Sequence, residues 1–110
     1  MNNEKITVNE LQLLLENNKP VSILDIRPIE QRNEWKFPNS IHADVYAELK
    51  NGNRKVFDFI DLPKEIPIVT VCAGGVSAAI ATDILNEKGY NAYTLEGGIN
   101  AWKNQNDSEK

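Results

Sequence analysis

The chain has 110 residues, 41% of them hydrophobic and 25% charged, with five prolines and six glycines, which fits one globular domain and leaves little room for a second. A formal net charge of -4, with three arginines and nine scattered lysines, argues against nucleic-acid binding, which needs a clustered basic surface. A single cysteine excludes an internal disulfide, and one Cys with one His falls short of a four-ligand zinc site.

No stretch approaches the length of apolar sequence that spans a membrane. Met1 to Asn18 mixes three glutamates among its leucines and lacks the apolar run of a signal peptide. The expected setting is therefore cytoplasmic, with no metal, cofactor or membrane partner.

In chain order, Thr7 and Glu10 have the spacing of a capping box, and Ile6 and Leu11 that of a hydrophobic staple. With Leu11, Leu14 and Leu15 as an apolar stripe, they predict a helix from Val8 to Asn17. Val21 to Asp25 reads as a buried strand ending in an acid, and Arg27 to Trp35 as a loop with a short helix. Ser40 to Ala43 reads as a short strand and Val45 to Lys50 as one or two helical turns. Asn51-Gly52-Asn53 is a turn, and the chain is irregular as far as Pro67.

Pro67 to Val71 is a β-branched run, expected as a central strand. Val76, Ile80 and Ile84 recur every four residues, with Ala81 and Leu85 beside them, predicting a helix to Lys88 closed by Gly89. Asn91 to Leu95 is a further strand, Gly97-Gly98 a turn, Ile99 to Lys103 a short helix, and the polar residues from Asn104 onward are expected to fray. The domain is expected over residues 1–104, with 105–110 a polar C-terminal tail. Alternating strands and helices argue for an α/β fold, a parallel sheet covered on both faces.

Cys72 falls where a buried strand ends and a helix is about to begin, the edge at which open α/β sheets bind ligands. Gly74 and Gly75 allow the backbone to turn N–H groups toward the sulfur, and the following helix adds the positive end of its dipole. Such a setting favours thiolate and suits a bound persulfide or oxyanion. A lone Cys after β-branched residues also reads as a small buried hydrophobe. Both readings stand on position alone.

Four segments resemble the rhodanese family. Leu24-Asp25-Ile26-Arg27 is similar to its Asp-x-Arg segment, and Phe37-Pro38-Asn39-Ser40 to its Ile-Pro-Gly-Ala stretch. Cys72-Ala73-Gly74-Gly75-Val76-Ser77 resembles its six-residue active-site loop, and Gly97-Gly98-Ile99-Asn100-Ala101-Trp102 its Gly-Gly-x-x-x-Trp signature. The resemblance runs from Ile6 to Trp102. It implies a five-stranded parallel sheet flanked by helices on both faces, and a double displacement through a Cys72 persulfide cradled by residues 73–77, with Asp25 and Arg27 in support. It also implies a small sulfur donor, thiosulfate or a thiol persulfide, and a thiol, cyanide or protein acceptor. The sequence further resembles the rhodanese modules appended to metallo-hydrolase persulfide dioxygenases.

Active rhodaneses commonly carry Arg at the last loop position and a small hydroxyl residue after it; here Ser77 and Ala78 stand there. A dianionic donor would lack its bidentate partner, so thiosulfate is expected to be poor and a persulfide preferred. The related cysteine phosphatases need Arg one residue later, where Ala78 sits, which argues against phosphate chemistry. Arg27 and Arg32 are candidates to reach the site. His42 is expected as a strand-end histidine, Trp35 and Trp102 as packing residues, and Asp58, Asp61 and Glu65 as a solvated face. Two competing functions are a non-catalytic binding module on the same fold and a redox sensor limited by the lack of a resolving cysteine.

Overall fold

The structure, a computed structural model, describes residues 4–58 and 60–107. In chain order its elements are β1 (Lys5–Ile6), α1 (Val8–Glu16), β2 (Ser22–Asp25), α2 (Ile29–Glu34), β3 (Ile41–His42), α3 (Tyr46–Lys50), β4 (Ile68–Val71), α4 (Val76–Glu87), β5 (Ala92–Leu95) and α5 (Gly98–Asp107). The strands pair in parallel in the order β1-β5-β4-β2-β3, the five-stranded α/β sheet expected. The residue pattern alone does not announce β1, because it is two residues long and its Ile6 reads as a staple.

The capping box forms in full. The Thr7 amide donates to Glu10 Oε1 at 2.9 Å, and the Glu10 amide to Thr7 Oγ1 at 3.1 Å, a cap worth about 1 kcal/mol. Ile6 and Leu11 are both buried on the same side of the sheet. Leu15 is exposed, so the apolar stripe of α1 is Val8 and Leu11, with Leu14 half-buried.

Alternate strand residues face opposite layers. Ile23, Val69, Val71 and Leu95 pack under α1 and α5 with Leu11, Phe37 and Ile99. Leu24, Ile26, Ile68 and Cys72 face α3 and α4, against Leu49, Ala78, Ala81, Ile84 and Leu85. Val76 departs from the stripe predicted for α4: it is 78% exposed, while its neighbour Ser77 is buried. Val76 is the first residue of α4 and belongs to neither buried cluster.

The irregular segment after α3 crosses to the far end of α4. Phe57 and Leu62 are buried there, Arg54 pairs with Glu87, Asp58 pairs with Lys88, and Lys64 lies over the Tyr90 ring. The hydrogen bond to Glu87, and then its charge, raise the Arg54 pKa further above the usual guanidinium value. The stabilisation this represents holds below the unfolded value and is lost only as pH rises through the folded one, in strong alkali.

Gly89 has φ +96° and closes α4 in the left-handed conformation. The helix expected to stop at Lys103 runs on to Asp107. The Asn106 side-chain amide donates to the Trp102 carbonyl at 2.8 Å, and Gln105 bonds Asn9 of α1, so polar residues here extend the helix where fraying was expected. Residues 108–110 of the expected tail lie outside the described residues. Among the described residues no helix is long and apolar enough to cross a membrane.

Candidate active site

From β2 the chain moves outward to β3, then returns to the other side of β2 to lay down β4 and continues to β5. The sheet order therefore switches direction between β2 and β4, the place where open α/β sheets open a crevice at their carboxyl ends. Asp25 pairs in register with Val71, and the Ile26 amide donates to the Val71 carbonyl at 3.1 Å, so the loops leaving both strands emerge level. Between them is a cleft of about 190 Å³ lined by Arg27 and Pro28 from one loop and Gln31 of α2, Tyr46 from α3, Cys72, Ala73 and Gly74 from the other loop, and Val76 and Ser77 from the start of α4.

Cys72 is 5% exposed and packs at the margin of the core. Its Sγ accepts two backbone hydrogen bonds, from Gly75 N–H at 3.0 Å and Ala78 N–H at 3.3 Å. A thiol buried only for packing needs no donors. Two amides aimed at one sulfur at the N-terminus of a 12-residue helix form a cradle for an anionic one. Gly75 makes the turn with φ +103°, in the left-handed region that only glycine enters freely. Ala73 and Gly74 form the exposed tip.

The loop is also gripped from behind. The first N–H groups of α5 have no partner within their own helix. Ile99 donates to the Cys72 carbonyl at 2.8 Å and Asn100 to the Ala73 carbonyl at 3.0 Å. Gly98 makes this approach possible, because a Cβ there would lie 2.4 Å from the Ala73 oxygen and 2.6 Å from the Cys72 oxygen. The Gly97-Gly98 pair, expected simply as a turn, thus braces the cysteine loop.

Asp25 and Arg27 form a bidentate ion pair. Arg27 Nε meets Oδ1 at 2.9 Å and Nη2 meets Oδ2 at 2.7 Å, with side chains 0% and 6% exposed. The Arg27 amide adds a third bond to Oδ1 at 3.1 Å. Nη2 also donates to the Trp35 carbonyl at 2.6 Å and Nη1 to the Gln31 carbonyl at 3.4 Å. Four of the five guanidinium N–H groups are thereby committed to the scaffold, and the charge is neutralised within the pair.

His42 Nε2 lies 2.8 Å from the Arg27 carbonyl and steadies the same loop. Arg32 bonds Ser40 and is not among the cleft residues. Trp35 and Trp102 pack edge-on against the buried Phe37, with centroids at 5.0 and 4.8 Å, so both are half-buried packing residues at the rim of the core. Pro28, Gln31 and Tyr46 complete the cleft without having been singled out in the sequence. Only the switch point places them there.

Comparison with known proteins agrees with this geometry. The Rhodanese-like domain family model matches residues 7–105. The chain is 34% identical to a thiosulfate sulfurtransferase (GlpE) of Shewanella oneidensis over 92% of this chain and 93% of that protein. It is 31% identical to the adenylyltransferase and sulfurtransferase UBA4 of Lodderomyces elongisporus, over 94% of this chain; it spans about a quarter (24%) of that relative's length. A solved rhodanese-like domain protein from Staphylococcus aureus superposes with a TM-score of 0.71 at 32% identity, covering 90% of each chain.

Proposed function

This chain belongs to the rhodanese-like domain family, and from that premise we propose that it is a sulfurtransferase or sulfur carrier in which Cys72 holds the travelling sulfur as a persulfide. The observation that carries the reading is the pair of backbone N–H groups on Cys72 Sγ, at the floor of a cleft on the switch point of the sheet.

In the first displacement the Cys72 thiolate attacks the outer sulfur of a donor R–S–S⁻. The Cys–S–S bond forms as the donor's S–S bond breaks, and R–S⁻ leaves with the electron pair. With thiosulfate the leaving group is sulfite. In the second displacement a thiolate or cyanide attacks the outer sulfur and releases Cys72 as thiolate, giving a new persulfide or thiocyanate. Charge and atoms balance in both steps, and no further oxidant or reductant is required. The amides of Gly75 and Ala78 hold negative charge on sulfur at the start and end of the cycle. First-turn N–H groups of α4 supply donors to the outer sulfur.

The cleft favours a thiol persulfide over thiosulfate. Ser77 stands where the family resemblance expects Arg, and the cation that lines the cleft, Arg27, is neutralised by Asp25. A dianion therefore meets backbone dipoles and a hydroxyl without a compensating charge. The acceptor in this reading is a thiol, cyanide or a protein nucleophile.

Intact-mass spectrometry after treatment with thiosulfate and, separately, with glutathione persulfide tests this on wild type and Cys72→Ser. The expected result is one added sulfur in wild type, more rapidly from the persulfide, removed by cyanide and absent from the variant. Folded wild type that takes no sulfur from either reagent would overturn the reading in favour of a non-catalytic binding module.

A further inference from the structure

Three threonines are buried together behind the cysteine loop. Thr70 of β4, Thr82 of α4 and Thr94 of β5 are 0%, 0% and 3% exposed. Thr70 and Thr94 are register partners on adjacent strands, and both reach toward α4. Thr70 Oγ1 lies 2.8 Å from Thr82 Oγ1, which lies 2.6 Å from Thr94 Oγ1. Both strand threonines also point a hydroxyl at the Ala78 carbonyl, Thr70 at 3.0 Å and Thr94 at 3.5 Å. One assignment that satisfies all three protons has Thr94 donating to Thr82, Thr82 to Thr70, and Thr70 to the Ala78 oxygen, with the Tyr93 carbonyl at 3.3 Å as a second, longer acceptor for Thr70.

This position departs from the pattern around it. Thr70 of β4 sits between Ile68 and Cys72, the residue just past the strand, both of which belong to the apolar cluster packed on α4. Burying three hydroxyls in an apolar layer is costly unless each is bonded, and a Val in place of Thr70 would keep the same shape. The network ends on Ala78, whose own N–H is one of the two donors to Cys72 Sγ. That N–H···S contact, at 3.3 Å, depends on where the first turn of α4 sits relative to β4. The shortest acceptor contact of Thr70 ties the Ala78 carbonyl to the strand that leads into the cysteine.

We propose that Thr70, Thr82 and Thr94 are positioning residues for Cys72: their buried hydroxyl chain locks the start of α4 so that the Ala78 amide points at the sulfur. The proposal builds on the sulfur-transfer reading, but its test has a readout that does not require sulfur transfer.

The rate of Cys72 alkylation by iodoacetamide at fixed pH and the rate of sulfur loading from glutathione persulfide are measured for wild type, Thr70→Val, Thr70→Ser and Thr94→Val, each checked for folding by circular dichroism. Thr70→Val is expected to slow both reactions about tenfold, the equivalent of one lost hydrogen bond. Thr70→Ser, which keeps the hydroxyl and loses only a methyl, is expected to return to within about threefold of wild type. A merely structural role predicts the opposite order, because Val preserves packing and Ser does not. Thr94→Val, further from Ala78, is expected to have the smaller effect and stands in should Thr70→Val fail to fold. Folded Thr70→Val reacting at the wild-type rate, or Thr70→Ser as slow as Thr70→Val, overturns the proposal. Wild type that is alkylated but takes no sulfur overturns the sulfur-transfer reading, while the alkylation order still decides the role of the threonines.

Discussion

The loop that leaves β2 and the loop that leaves β4 lie side by side over the same cleft, yet different chemistry holds each in place. After β2, side chains hold the loop: the Asp25 carboxylate, the Arg27 guanidinium and the His42 ring bond one another or nearby backbone, and all are buried or half-buried. After β4, backbone holds the loop: amides of Gly75 and Ala78 face the sulfur, and amides of Ile99 and Asn100 clasp the carbonyls behind it. Charge is thus spent on the scaffold and kept off the reacting atom. In the sulfur-transfer cycle proposed above, a sulfur that alternates between thiolate and persulfide would gain from dipoles that tolerate both forms. A fixed cation beside it would bias the site toward strongly anionic donors.

The sharpest way to break this contrast is to remove the charge that the first loop keeps to itself. Asp25→Ala leaves a buried guanidinium uncompensated and is expected to destabilise the fold by about 3–5 kcal/mol. Chemical denaturation measures it. Replacing Asp25 and Arg27 together with apolar residues is expected to recover much of the loss, since the pair must be desolvated as well as matched. A cost below about 1 kcal/mol for Asp25→Ala would mean that the pair is a bystander.

The second loop is broken by volume. Gly98→Ala puts a methyl 2.4 Å from the Ala73 oxygen at a φ of +68°. Strain and overpacking together are expected to cost about 2–4 kcal/mol. Because the clash falls on the cysteine loop, sulfur loading should fall along with stability. Gly75→Ala is the control: its φ is +103°, but the nearest atoms to a new Cβ are 3.6 Å away, so only the backbone penalty of about 1–2 kcal/mol applies. Equal losses for the two variants would show that steric pressure on Ala73 plays no part.

The comparison is sharpened by adding a cation where the second loop has none. Ser77→Arg is expected to raise kcat/KM for thiosulfate about tenfold, near 1.4 kcal/mol of transition-state stabilisation, with a smaller change for a persulfide donor. Steady-state rates with both donors decide it. An unchanged ratio between donors would mean that cleft shape sets the preference and charge does not.

Much of this was legible in the residues. Thr7 with Glu10, the β-branched run into Cys72, and Gly89 each announce a local structure because they act over a few residues, where spacing alone fixes geometry. Asp25 and Arg27 are legible as supporting residues through the resemblance to the Asp-x-Arg segment. Three features stayed out of reach because they are made by topology. Tyr46 enters the cleft only because α3 is folded back beside α4. Ile99 and Asn100 serve the cysteine loop only because β5 lies next to β4. Val76 reads as core by period, yet as the first residue of α4 it is exposed and lines the cleft. The threonines carried a faint signal, three hydroxyls at positions otherwise apolar, but their meeting depends on the strand register.

The smallest effect is expected at the far end of α4, where Asp58 pairs with Lys88. Both side chains are about one-third exposed (36% and 33%), so solvent screens the pair and much of its Coulomb energy is offset by hydration. Asp58→Asn is expected to cost about 0.5 kcal/mol and to leave sulfur loading unchanged. Thermal unfolding with an activity assay checks both. Phe57 and Leu62 bury the same segment independently of the charge, so it stays docked when the ion pair is gone. A loss of loading in a variant of near-normal stability would mean that this end of α4 communicates with its N-terminus along the helix. The cysteine cradle would then depend on more than the clasps at its own end.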